Sequence, residues 1–176
     1  MNPLNVLIEM NIRWLGQAMG LLNRLNDAEY ATCPSGMEPH RAGGHLRHII
    51  EFYQAFLDGL DSSHIDYDAR RRDPAIERSR TAANAAIQAI LRGLHAAGPL
   101  RSERIIWVKM EDCPAVVTRP FMESSVSREL QLLSSHTIHH FALIAMTLRL
   151  HGVQLDPEFG MAPSTLRYLA ARREAA

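Results

Sequence analysis

Cysteine is nearly missing from this chain. Cys33 and Cys113 are the two it has; they lie far apart, neither sits in a CxxC pattern, and each precedes a proline. That excludes a disulfide framework and makes a reducing cytoplasm the expected compartment. No local pattern beside either one supports activation of a catalytic thiolate. A charge surplus is missing too: 19 basic residues face 19 acidic ones, for a formal net charge of zero. General nucleic-acid binding usually draws on a basic surplus, so no nucleic-acid partner is expected. Lys109 is the single lysine among those cations, an arginine bias read as genomic composition. No apolar run approaches the roughly 20 residues of a membrane span. The opening "MNPLNVLIEMNIRWLG" has no basic start, and Glu9 and Arg13 interrupt it, so neither a leader nor a membrane anchor is expected.

What remains is 176 residues with an ordinary globular balance, 47% apolar and 22% charged, enough for one domain over residues 1–176. Leu4, Leu7, Ile8, Ile12, Leu15, Met19 and Leu22 recur at helical spacing, and Asn26 and Asp27 begin a polar exit. "YATCPSGMEPHRAGG" reads as a loop. Helical spacing resumes in "HLRHIIEFYQAFLDGL", with Leu46, Ile49, Phe52, Phe56 and Leu60 on one side and Gly59 near its end. "DSSHIDYDARRRDP" reads as another loop, and Pro74 suits the first turn of a third helix over 75–96. The alanine-rich centre of that helix, "TAANAAIQAI", permits close packing. "RIIWVKMEDCPAVVT" (104–118) is β-branched and alternating, with Glu-Asp-Cys-Pro as a turn, which predicts a short hairpin. "ESSVSREL" opens a long fourth helix with Ser124 or Ser125 as its cap; it runs to about Leu150, and Gly152 stops it. Ser164 is expected to cap a short last helix. The fold class predicted is all-α: a four-helix bundle with a short β-hairpin between helices three and four and a short C-terminal helix.

The fourth helix raises the functional question. "SSHTIHHFALIAM" (134–146) places His136, His139 and His140 in an otherwise apolar stretch. Positions i and i+4 share a helix face, so His136 and His140 point the same way and can reach one ion. His139 is turned about 100° from His140 and cannot easily join them, which suggests a neighbouring role. The second helix carries His45 and His48, and His48 lies on the stripe of Phe52, Phe56 and Leu60. A lone histidine on an apolar face is ordinarily a hydrogen-bonded core residue. Three from two helices favour a shared ion, and three neutral nitrogens leave a coordination position open. A di-iron carboxylate site fits worse, because it requires ExxH motifs and further inward glutamates.

"GGHLRHIIEFYQAFLDGL", the alanine-rich third helix and "SRELQLLSSHTIHHFALIAM" together resemble the DinB-like superfamily of metal-binding four-helix bundles. The resemblance covers most of the chain in element order; its specific part is the second His of "HLRH" and the HxxxH ahead of an apolar turn. It implies that His48, His136 and His140 bind a divalent metal, zinc or nickel first, with iron also suited. His45 and His139 are extra to that pattern. It also implies thiol transfer or hydrolysis on a small-molecule substrate, with a low-molecular-weight thiol as a further cofactor. The competing class is a non-catalytic, metal-stabilised or metal-sensing bundle acting through self-association. The first and third helices then supply a homodimer face. A further alternative is a polar core with no metal at all.

The remaining candidates carry weaker signals. Glu129 lies two turns before His136 and could act as a base or hold a ligand, although a glutamate at a helix start is ordinarily solvated. Glu51 lies one turn after His48 and could orient it. Arg70, Arg71 and Arg72 could clamp an anion, but a solvated loop paired with Asp66, Asp68 and Asp73 is the preferred reading. Tyr67 could line the mouth of a pocket. His40, His64, His95 and His151 read as surface residues.

Overall fold

A computed structural model describes residues 2–97, 104–110 and 120–174. The chain begins with α1 (Pro3–Arg24); the Asn2 side chain accepts from the Leu4 N–H at 3.0 Å, and Pro3 takes the first position, where no N–H is needed. Leu4, Ile8, Leu15, Ala18 and Leu22 form its buried stripe. A short helix, α2 (Asp27–Ala31), follows where a loop was expected. A reciprocal cap builds it: the Asn26 side chain accepts from the Glu29 N–H at 2.9 Å, and the Glu29 carboxylate accepts from the Asn26 N–H at 2.8 Å. A 3₁₀ turn at Glu38–His40 leads into α3 (Ala42–Leu60), the expected second long helix.

The predicted third helix is broken. It is α4 (Pro74–Arg78) followed by α5 (Arg80–Ala96), with Ser79 extended between them. Ser79 closes α4 through its N–H to the Ala75 carbonyl and caps α5 by accepting from the Ala82 N–H. The next residue, Arg80, donates to Asp27 at 2.7 Å and to the Leu22 and Leu25 carbonyls, which pins the corner to the end of α1.

The β structure is also larger than expected. β1 (His64–Asp66) lies in a segment read as loop; it pairs parallel with β2 (Ile105–Lys109), which pairs antiparallel with β3 (Met122–Ser125). β2 is the first arm of the predicted hairpin. The expected turn and second arm, with Cys113, lie outside the described residues, and β3 comes from residues expected to open the last long helix. That helix is α6 (Val126–Leu150), with Ser125 accepting from the Arg128 N–H. The short terminal helix is α7 (Pro163–Glu174), so Ser164 sits inside it and is not its cap.

The result is a mostly helical fold with a small three-stranded sheet. α3 packs against α5 and α6, and α1 packs against the same two. Between them Leu15, Leu46, Ile49, Phe56, Ile87, Leu133 and Phe141 are 1% exposed or less. A buried polar chain fixes the helix register. Asn11 on α1 donates to the Leu7 and Leu130 carbonyls and accepts from the Tyr53 hydroxyl at 2.6 Å; Tyr53 Oη lies 3.2 Å from Thr137 Oγ1, which donates to the Leu133 carbonyl. Every buried group in that chain has a partner, so sliding α3 along α6 would strand several at once. The register it sets brings His48 on α3 opposite His136 and His140 on α6.

Candidate metal centre

His136 and His140 stand one turn apart on α6, and His48 meets them from α3. Their ring centroids are 4.9 Å (His48–His136), 4.7 Å (His48–His140) and 4.5 Å (His136–His140) apart. One nitrogen from each ring lies within 4.8 Å of the other two. Tetrahedral ligands held about 2.0–2.1 Å from zinc are themselves roughly 3.4 Å apart, so small ring rotations close the set. The donor chemistry fits as well. His136 Nε2 is buried and has no hydrogen-bond partner among the described residues. A stranded ring nitrogen is costly unless something occupies its lone pair, and an ion shared with the other two rings would do so.

The electrostatics suit neutral ligands. Burial pushes the pKa values of His48, His136 and His140 down to about 3, and the neighbouring histidines push the same way. All three are therefore neutral at neutral pH, each with one ring nitrogen free of a proton, as metal ligation requires. Phe52 forms the apolar floor, 4.1 Å from the His136 ring and 4.8 Å from the His48 ring, between centroids. Tyr67 stacks beneath Phe52 at 5.0 Å, and the Arg70 guanidinium sits 4.4 Å from the Phe52 centroid.

The other sequence candidates fall in distinct places. His45 is buried, and its Nδ1 lies 3.0 Å from Nδ1 of His140. His139 is exposed and meets His140 only edge-on, at 5.1 Å. Glu51 is buried but turned away from the orienting role expected for it: it accepts from Arg47 at 3.0 Å and from the Asp73 N–H at 2.7 Å. Glu129 is not solvated. It is 4% exposed and accepts from the Tyr67 hydroxyl at 2.8 Å and from Ser124 at 2.5 Å, so it ties the start of α6 to the β1 side of the fold. Tyr67 is fully buried, so it does not line a pocket mouth. Arg70 is not a free loop cation either: its Nη1 donates to the Tyr67 carbonyl, and its Nε is buried without a partner among the described residues. Desolvation lowers its pKa. Arg71 does pair in solvent as expected, though with Asp58 at 3.5 Å.

Sequence reasoning missed His40. It is exposed, as expected, yet its ring stacks on His45 with centroids 5.6 Å apart. The 3₁₀ turn Glu38–His40 places it just before α3. No fourth histidine, cysteine or carboxylate among the described residues joins the group of three. A cleft of about 350 Å³ opens beside it, with His45, His48 and His140 in its wall. Its charged rim is balanced: Arg47 pairs with Glu77 at 3.1 Å, and Arg41 lies 3.7 Å from the same carboxylate. No helix among the described residues is long and apolar enough to cross a membrane. No protein-family model matches the sequence, and no curated protein or solved structure matches it.

Proposed function

We propose that this chain binds one divalent metal ion through His48, His136 and His140 and uses that ion's open side in a reaction on a small molecule. The observation that carries the reading is the convergence of the three ring nitrogens to within 4.8 Å, with His48 and His140 in the wall of a solvent-connected cleft. Zinc or nickel suits three imidazoles best, and iron is also compatible. Bound there, such an ion would supply Lewis acidity and would favour the anionic form of a water or thiol beside it. Three neutral ligands leave the charge of the ion uncompensated, which favours an anionic fourth ligand. Thiol transfer with a low-molecular-weight thiol and hydrolysis both meet that requirement.

The protein's own part is positional. α3 and α6 hold the rings in one register, Phe52 keeps their floor dry, and the cleft admits a ligand from one side. The same arrangement supports a DinB-like four-helix bundle as the fold. Four long helices pack around one core, and the ligands come one from the second and two from the last. A closed, purely structural site is less well supported, because such a site has four protein ligands and needs no cleft.

Metal content decides the matter. Tag-free protein is analysed by mass spectrometry beside a His48→Ala, His136→Ala, His140→Ala variant. The expected result is about one equivalent in the wild type and none in the folded variant. Background metal in both, persisting after incubation with zinc, nickel and iron, would overturn the proposal and leave the histidines as core packing.

A further inference from the structure

We infer that His45 is a positioning residue for the proposed three-histidine centre: its Nδ1 accepts the Nδ1–H of His140 and so aims the His140 Nε2 lone pair at the ion. The inference rests on the metal-binding reading above and adds a fourth histidine to it. His45 and His140 approach nitrogen to nitrogen at 3.0 Å. One proton lies between them, and it can belong to either ring. If it belongs to His45, then neutral His140 carries its own proton on Nε2, which blocks that nitrogen as a ligand. If it belongs to His140, Nε2 is bare. Nδ1 is already engaged, so Nε2 is the nitrogen His140 has left for a metal. The bond to the second nitrogen of a ligating imidazole fixes both its tautomer and its ring plane.

The surroundings hold His45 in that role. It is 8% exposed, and the His40 ring covers one face, 5.6 Å away and tilted by only 20°. His45 lies on α3 one turn before His48, so the helix that carries one ligand also steadies another on α6. In the metal-ready arrangement His45 keeps its own proton on Nε2, and that atom is buried with no partner among the described residues. His45 Nε2 is equally without a partner when the shared proton sits on His45, so the choice of tautomer turns on His140, which needs a bare Nε2 to ligate.

Zinc affinity, measured by chelator competition on the tag-free full chain, tests the inference in the wild type, His45→Phe and His45→Asn. Phenylalanine keeps the ring and removes the acceptor, so affinity should fall about 10–100-fold. Asparagine places Oδ1 near the position of Nδ1 and should restore most of the loss. Long-range nitrogen–proton NMR of the zinc-loaded wild type should show His140 protonated at Nδ1 and ligated through Nε2. Full affinity in the Phe variant, an Asn variant as weak as Phe, or zinc on His140 Nδ1 would each overturn the inference while the three-histidine reading stood. A wild type that takes up neither zinc, nickel nor iron would remove both, and one that takes up nickel or iron alone carries the same comparison over to that metal. Should the Phe variant fail to fold by circular dichroism, the NMR assignment on the wild type decides alone.

Discussion

A neutral imidazole buried among other imidazoles makes the metal-free protein sensitive to acid, and the sign follows from the pKa values. In the folded chain His48, His136 and His140 titrate at about 3, against an ordinary value near 6.5 once unfolded. Below about pH 6.5 the unfolded chain binds protons that the folded chain does not, so falling pH favours unfolding. The contribution is fully present above that value and is lost progressively towards pH 3. Thermal melts of chelator-treated protein at pH 7, 6 and 5 should therefore fall more steeply for the wild type than for the triple alanine variant. Equal slopes would show that the three rings are not held neutral by the fold. The clustering of these three histidines was legible in the sequence because helix geometry aligns residues four apart, and because His48 shares a stripe with Phe52 and Phe56. His45, Glu129 and Arg70 were harder to place. Their roles depend on which ring nitrogen faces which neighbour, and on how residues 67–73 fold back over Phe52. No periodicity encodes that.

At the scale of elements, the start of α3 matters most, because it carries His45 and His48 and is pressed against the end of α4. A Cβ at Gly43 would lie 2.0 Å from the Glu77 carbonyl oxygen and 3.0 Å from the Tyr30 ring; at Gly44 the nearest atom is the Glu77 side chain at 4.0 Å. Gly43→Ala must push two backbones apart. It should cost about 1–3 kcal/mol in denaturant melts and weaken zinc binding by displacing the first turn of α3. Gly44→Ala, one residue on, should be neutral or stabilising by up to about 1 kcal/mol, since alanine is the better helix former. Similar losses in both would show that α3 and α4 are not in contact as described. The four long helices could be read from sequence because each repeats its apolar stripe over several turns. β1 could not: His64–Asp66 is too short to show alternation, and its partner lies some 40 residues on. The break at Ser79 was hidden for another reason. Nothing in "IERSRTAAN" forbids a continuous helix, and the corner is decided by Arg80 reaching back to Asp27 and the Leu22 and Leu25 carbonyls.

For the whole molecule, the proposed site is also a clamp. The ligands join α3 to α6, two elements far apart in sequence, and the polar chain through Asn11, Tyr53 and Thr137 joins the same helices to α1. That chain sets the register whether or not a metal is bound, so the site should be formed before metal arrives. Binding then adds stability by linkage: an ion that binds the folded chain and not the unfolded one contributes RT ln(1 + [L]/Kd), about 2.7 kcal/mol at a free concentration one hundred times Kd. For a chain of this size each kcal/mol moves the melting midpoint by about 2–4 °C, so zinc should raise Tm by roughly 5–10 °C. The shift should grow with the logarithm of zinc concentration and vanish in the triple alanine variant. His139→Ala, which removes an exposed ring outside the cluster, should leave it unchanged. Scanning fluorimetry over a chelator-buffered zinc series measures all three. An equal shift in the triple variant would place the stabilising zinc elsewhere on the molecule. No shift in the wild type with zinc, nickel or iron would mean that the three rings close their own core.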